Sequence, residues 1–161
     1  MFTVGFMIFD FITNCFWLKD FTPLGKQYIA HHFIASLIVI MSSISGEHCP
    51  KLVVVTLLCE ISGIFLMIRD VMGKNSWTGF WSHLNMGLFF VSYTLVRMVM
   101  FPFCIYSHIK LSTLYDFDNH TLFHRVSFWV TLILFICIYL LNVFWYSIIL
   151  RTVSRVLFTS E

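Results

Sequence analysis

Residues His31 to Asp70 read HHFIASLIVIMSSISGEHCPKLVVVTLLCEISGIFLMIRD, two apolar runs of helix length joined by a tight GEHCPK turn. Paired histidines open the stretch, and a single acid, Glu60, lies inside its second run. An ionisable group within an apolar run is costly in a soluble core and costlier in lipid, so it calls for a packing or functional reason. The chain is read outward from that carboxyl.

Composition decides what surrounds it. Hydrophobic residues make up 59% of the 161 residues and charged residues 11%, against roughly one-quarter charged in an average globular domain. This is the balance of an integral membrane protein. A net charge of +2, with no basic run, excludes a nucleic-acid partner. The first eighteen residues hold no Lys or Arg and carry Asp10 in mid-run, so they read as a membrane span rather than a leader.

A span needs about 20 apolar residues. On that measure the chain is an all-α polytopic transmembrane helical bundle, a single domain over residues 1–161. It has about five spans, at roughly 1–18, 28–45, 52–68, 86–106 and 126–150. The second and third, joined through Gly46 to Lys51, form an antiparallel hairpin. Alternating the loops places Lys19, Lys26, Arg69, Lys74, Arg151 and Arg155 on one side and Lys51, Lys110 and Arg125 on the other. The positive-inside rule then puts the C-terminus inside. The loop Asp70 to Asn85, with Trp77 and Trp81, reads as an interfacial segment. Asp118 or Asn119 is the expected cap of the last helix.

Three charged residues fall near span midpoints: Asp10, Glu60 and Arg97. Helical spacing adds Tyr93 to the face of Arg97, and Asn142 joins from the last span. Asp10, Glu60, Tyr93, Arg97 and Asn142 are therefore the expected buried polar network. It either fixes helix packing, or forms a polar pocket that grips a lipid headgroup or performs acid and base work. In this register Glu60 sits near the midplane and the histidines near the inner surface, about 10 Å or more away. That separation makes Arg97 and Asp10 the expected neighbours of Glu60.

His31 and His32 are candidate catalytic bases. Being adjacent, they point about 100° apart on a helix, so one is expected to face the core and the other to turn toward a neighbour or the headgroups. An outer cluster, His48, His108, Asp116, Asp118, His120 and His124, contains the candidate metal pair His120 and His124. It matches no recognised metal-binding box, and neither a metal nor a cofactor is expected. Asn119-His120-Thr121 is a glycosylation sequon. Cys15, Cys59 and Cys137 read as apolar filling within spans. Cys49 and Cys104, both near the outer face, are expected as free thiols.

The pieces GFMIFD (Gly5 to Asp10), His31-His32, EISGIFLMIRD (Glu60 to Asp70), the Arg97-containing LVRMVMFPF and LNVFWY (Leu141 to Tyr146) together resemble the TLC family of polytopic membrane proteins, which includes ceramide synthases. The resemblance implies a helical bundle around a lipid-sized cavity and, by family, an endoplasmic-reticulum or other endomembrane location. Ceramide synthases carry His-Asp and Ser-Asp pairs after the histidines. Here Cys59-Glu60-Ile61-Ser62-Gly63 keeps one acid and the serine and lacks the histidine and the second acid. The expected function is accordingly a non-catalytic TLC-like protein that binds or handles membrane lipids. An accessory subunit among other membrane subunits, of the mitochondrial inner-membrane respiratory kind, is the alternative. An acyl-CoA-dependent acyltransferase related to ceramide synthase is the third reading.

Overall fold

The computed structural model describes residues 23–44, 58–74, 79–113 and 121–158, with isolated positions in the first eighteen residues. Every element in these segments is helical. Helix α1 spans Pro23–Ile44. A 3-10 turn, Leu58–Glu60, leads into α2, Ile61–Lys74. Helix α3, Phe80–Tyr93, runs through a π-helical segment, Thr94–Met100, into α4, Phe101–Ser112. Helix α5 spans Leu122–Phe158.

Among the described residues, three stretches are long and apolar enough to cross a membrane: Gly25–Ile44, Phe80–Ser112 and Leu122–Ser154. They overlap the second, fourth and fifth spans expected from the sequence. The first span and the start of the third lie outside the described residues, as does the Gly46 to Lys51 turn. The helix limits differ from the apolar runs in an instructive way. Helix α2 continues past Arg69 to Lys74, and α3 begins at Phe80, so charged residues that ended the apolar run did not end the helix. At 1.5 Å per residue, α5 is about 55 Å long, well beyond a hydrocarbon core of about 30 Å.

The N-terminus of α3 is set by Gly79, whose carbonyl accepts the N–H groups of Ser82 and His83 at 3.1 and 3.2 Å. Its φ of 88° is a conformation open to glycine and strained for other residues. Helix α5 begins two residues later than expected from Asn119. Thr121 is the cap, its hydroxyl facing the His124 ring and backbone N–H.

Pro102 accounts for the π segment. In an α-helix the carbonyl of Met98 would accept from residue 102, which has no N–H, and the ring would crowd that carbonyl. A register of i to i+5 offers the next N–H instead.

Helix α5 is the hub. It packs along α1 and along the π segment and α4, while α2 lies on α3 and the 3-10 turn rests against the π segment. The apolar core is Ile38, Cys59, Phe101, Phe135 and Ile138, with Phe101 edge-on to Phe135 and stacked on Tyr139. Large apolar side chains such as Met67, Phe103 and Leu140 are turned outward, whereas His108, Asn142, Thr131, Ser42, Ser62 and Ser127 are fully buried. That distribution suits a solvent of lipid, where apolar surface costs nothing and polar groups seek one another inside.

Candidate functional site

The polar interior is built around Arg97, in the middle of the π segment and 6% exposed. Its guanidinium reaches three separate acceptors. Nε donates to Ser62 Oγ at 3.0 Å, Nη1 to Asn142 Oδ1 at 2.8 Å and Nη2 to the Cys59 carbonyl at 3.2 Å. The Ser62 hydroxyl donates in turn to that same carbonyl at 2.8 Å. Tyr93, one turn before Arg97, lies with its ring 5.2 Å from the guanidinium carbon and donates its hydroxyl to the Asn142 backbone carbonyl at 3.0 Å. The ring stacks on Tyr146, which stacks on Phe90.

Tyr93, Arg97 and Asn142 are thus brought together, as their shared spacing anticipated. The electrostatics differ from expectation. Among the described residues no carboxylate forms an ion pair with Arg97; its partners are neutral acceptors and an aromatic face. Such a set can hold a buried cation because Arg offers several donors in a rigid fork. Asp10, the other expected partner, lies outside the described residues.

Glu60 goes to the histidines instead. Its Oε1 lies 3.8 Å from His31 Nε2, which corrects the expectation that the two stand at different depths. The expectation failed because both helix limits moved. Helix α1 starts at Pro23, so His31 stands about 12 Å along it rather than at its opening. Glu60 closes the 3-10 turn that precedes α2 rather than occupying the helix middle.

Both histidines are buried, at 6% and 5% exposure, so neither turns toward the headgroups. A helix with neighbours on more than one side buries adjacent positions, and α1 meets both α5 and the 3-10 turn in this region. The His31 ring lies edge-on to His32 and 5.4 Å from the Trp145 ring of α5. Trp145 Nε1 donates to Gln27 Oε1 at 2.7 Å, a turn before His31. His31 Nδ1 has no hydrogen-bond partner among the described residues. The Glu60 side chain keeps 43% of its surface open.

Of the outer histidine cluster, His108 and His124 fall within the described residues. His108 is fully buried in α4, stacked on Phe128 with Nε2 3.2 Å from the Phe128 carbonyl. His124 faces Thr121 at the start of α5. His120, with His48, Asp116 and Asp118, lies outside the described residues, as do Cys15 and Cys49. No group of three metal-ligating side chains forms among the described residues. Cys59, Cys104 and Cys137 are free thiols, the first two buried and the third exposed.

Some connecting residues escaped the sequence reading. Ser62 and the Cys59 carbonyl anchor Arg97, and Asn85 donates to the Phe65 carbonyl at 2.9 Å, tying α3 to α2. The spacing of Ser62 from Cys59 is the only signal that pointed to the first. Asn85 falls at the end of the expected loop Asp70 to Asn85, because no apolar count marks where α3 begins.

A family model described as the TLC domain matches residues 1–151. The chain belongs to the TLC-domain family. Similar proteins bear this out along its length. This TLC chain is 26% identical to the Alternaria stem canker resistance protein 1 of Solanum lycopersicum and to ceramide synthase 1 LOH3 of Arabidopsis thaliana. It is 25% identical to ASC1-like protein 1 of Oryza sativa subsp. japonica. Each match covers 157 residues, 96% of this chain and 50% of the relative. The TLC chain therefore spans about half the length of the curated relatives it matches. No solved structure matches it. Family and composition together make it an integral membrane protein of the TLC class.

Proposed function

We propose that this TLC chain carries out acyl transfer of the ceramide-synthase type, with His31 as general base and Glu60 as the group that orients it. The observation that supports this most is the His31–Glu60 contact of 3.8 Å inside the bundle. A carboxylate opposite Nε2 holds the ring proton on that nitrogen and leaves Nδ1 with its lone pair. Nδ1 is the ring atom with no hydrogen-bond partner among the described residues. The contact is long for a hydrogen bond, a common condition of catalytic pairs before substrate tightens them.

In this reaction a long-chain amine attacks the carbonyl of a fatty acyl thioester. His31 Nδ1 takes the proton from the amine nitrogen, the C–S bond breaks, and the proton passes to the departing thiolate. The products are an amide and a free thiol. His31 itself is buried, which limits the access of water that would otherwise hydrolyse the thioester. Membrane lipids are the partners this chemistry requires. The relative named as a ceramide synthase supports a sphingoid base as acceptor and the endoplasmic reticulum as the compartment.

A second reading, a TLC protein that holds lipid without turning it over, is favoured by one feature. Cys59 and Gly63 stand where the resemblance to ceramide synthases places a histidine and a second acid, so part of that constellation is lacking. Reconstitution of the chain in liposomes with a long-chain acyl-CoA and a sphingoid base, with amide measured by mass spectrometry, separates the two. Amide formation is the expected result. Lipid that co-purifies with the chain and remains unchanged in the presence of acyl-CoA supports the holding reading instead.

A further inference from the structure

Arg97 is the most deeply buried cation among the described residues, yet the chemistry above does not use it. Its hydrogen bonds are distributed in a telling way. Two of them, to the Cys59 carbonyl and to Ser62 Oγ, fall on either side of Glu60 in the chain. The Cys59 carbonyl belongs to the peptide unit that joins Cys59 to Glu60, and Ser62 binds the same oxygen. Cys59 Sγ adds a weak bond, 3.7 Å, to the Val96 carbonyl beside Arg97. The third strong bond, to Asn142, fixes the guanidinium to α5.

Helix α5 is also what His31 leans on, through Trp145, one turn beyond Asn142. Both members of the acid–base couple are therefore referenced to the same stretch of α5: His31 by ring contact, and Glu60 through Arg97. A single ammonium could not replace this hold, because three nitrogens in a fixed plane reach three acceptors on three elements.

We propose that Arg97 is a positioning residue which, braced on Asn142, holds the Cys59–Ser62 turn so that the Glu60 carboxyl stays against His31. The proposal rests on the reading of His31 as base only for its kinetic consequence; the placement itself can be read without turnover.

The test uses the full chain in detergent or liposomes, with isotope-labelled histidine. The His31 ring resonances are assigned by their loss in His31→Asn. Glu60→Gln supplies the reference for a ring without its carboxylate. Arg97→Lys and Ser62→Ala are compared with Ser92→Ala, a neighbouring hydroxyl that bonds only within α3. The expected result is that Arg97→Lys and Ser62→Ala move the His31 resonances toward the Glu60→Gln position, while Ser92→Ala leaves them in place. In the acyl-transfer assay the same two variants lower kcat about tenfold to a hundredfold with KM little changed, the pattern of a displaced catalytic group. Folded Arg97→Lys and Ser62→Ala proteins with wild-type His31 resonances would overturn the proposal. Should Arg97→Lys not fold, Ser62→Ala, which keeps the charge, decides alone. Undiminished acyl transfer by His31→Asn would remove the base reading, while the resonances would still report whether Arg97 places Glu60.

Discussion

Arg97 and Asn142 meet through a 2.8 Å hydrogen bond from Nη1 to Oδ1, joining two long spans at a depth where both residues are buried. The bond links the π segment to α5, and the Tyr93 hydroxyl donates to the Asn142 carbonyl beside it. The stability of the bundle should respond accordingly.

Asn142→Ala removes one acceptor and leaves a buried guanidinium nitrogen short of a partner, at a cost of about 1–3 kcal/mol. Arg97→Met removes the charge and leaves Asn142 Oδ1 without its donor, while Ser62 keeps its bond to the Cys59 carbonyl, at about 1–3 kcal/mol. The double variant Arg97→Met/Asn142→Leu should cost less than the sum of its parts, because the second change removes a group the first left unpaired. Thermal unfolding of the detergent-solubilised single and double variants checks the cycle.

Tyr93→Phe is milder. The hydroxyl donates to a backbone carbonyl that lies within α5, and the ring stacking and its position over the guanidinium survive the change. The loss should be about 0.5–1.5 kcal/mol, seen as a small fall in Tm with acyl transfer retained.

Two glycines should respond with opposite signs. A Cβ on Gly63 would meet Glu60 Oε2 at 3.9 Å, ordinary contact, so Gly63→Ala should stabilise α2 by about 0.5–1 kcal/mol. Gly79, with φ 88°, has open space but a strained backbone for any side chain. Gly79→Ala should destabilise the start of α3 by about 1–3 kcal/mol. Unfolding midpoints of the two variants should fall on either side of wild type.

Much of the architecture could be read from the residues. Apolar runs bounded by charge gave an all-α membrane bundle, and the spacing of Tyr93 from Arg97 placed both on one face. Helix ends were harder, because a membrane helix continues through charged residues once it leaves the hydrocarbon: α2 runs through Arg69, and α3 begins before Asn85. Depth estimates inherit that error, which is why His31 and Glu60 were expected apart and are found 3.8 Å from each other. His108 illustrates a related failure. Near a helix end it resembled an exposed loop histidine, but packing against Phe128 and Phe135 is a tertiary fact with no local signature. The neutral partners of Arg97 were obscure for a different reason: one of them is a backbone carbonyl, which every residue possesses.

The central claim is that the His31–Glu60 couple performs acyl transfer, and the most direct measurement is the initial rate of amide formation from acyl-CoA and a sphingoid base by the reconstituted chain, compared with His31→Ala and Glu60→Gln at equal folded protein. The account predicts a measurable wild-type rate, a fall of about a hundredfold or more in His31→Ala, and an intermediate fall in Glu60→Gln. A His31→Ala protein that forms amide at the wild-type rate, or a folded wild-type chain that forms none, would contradict it.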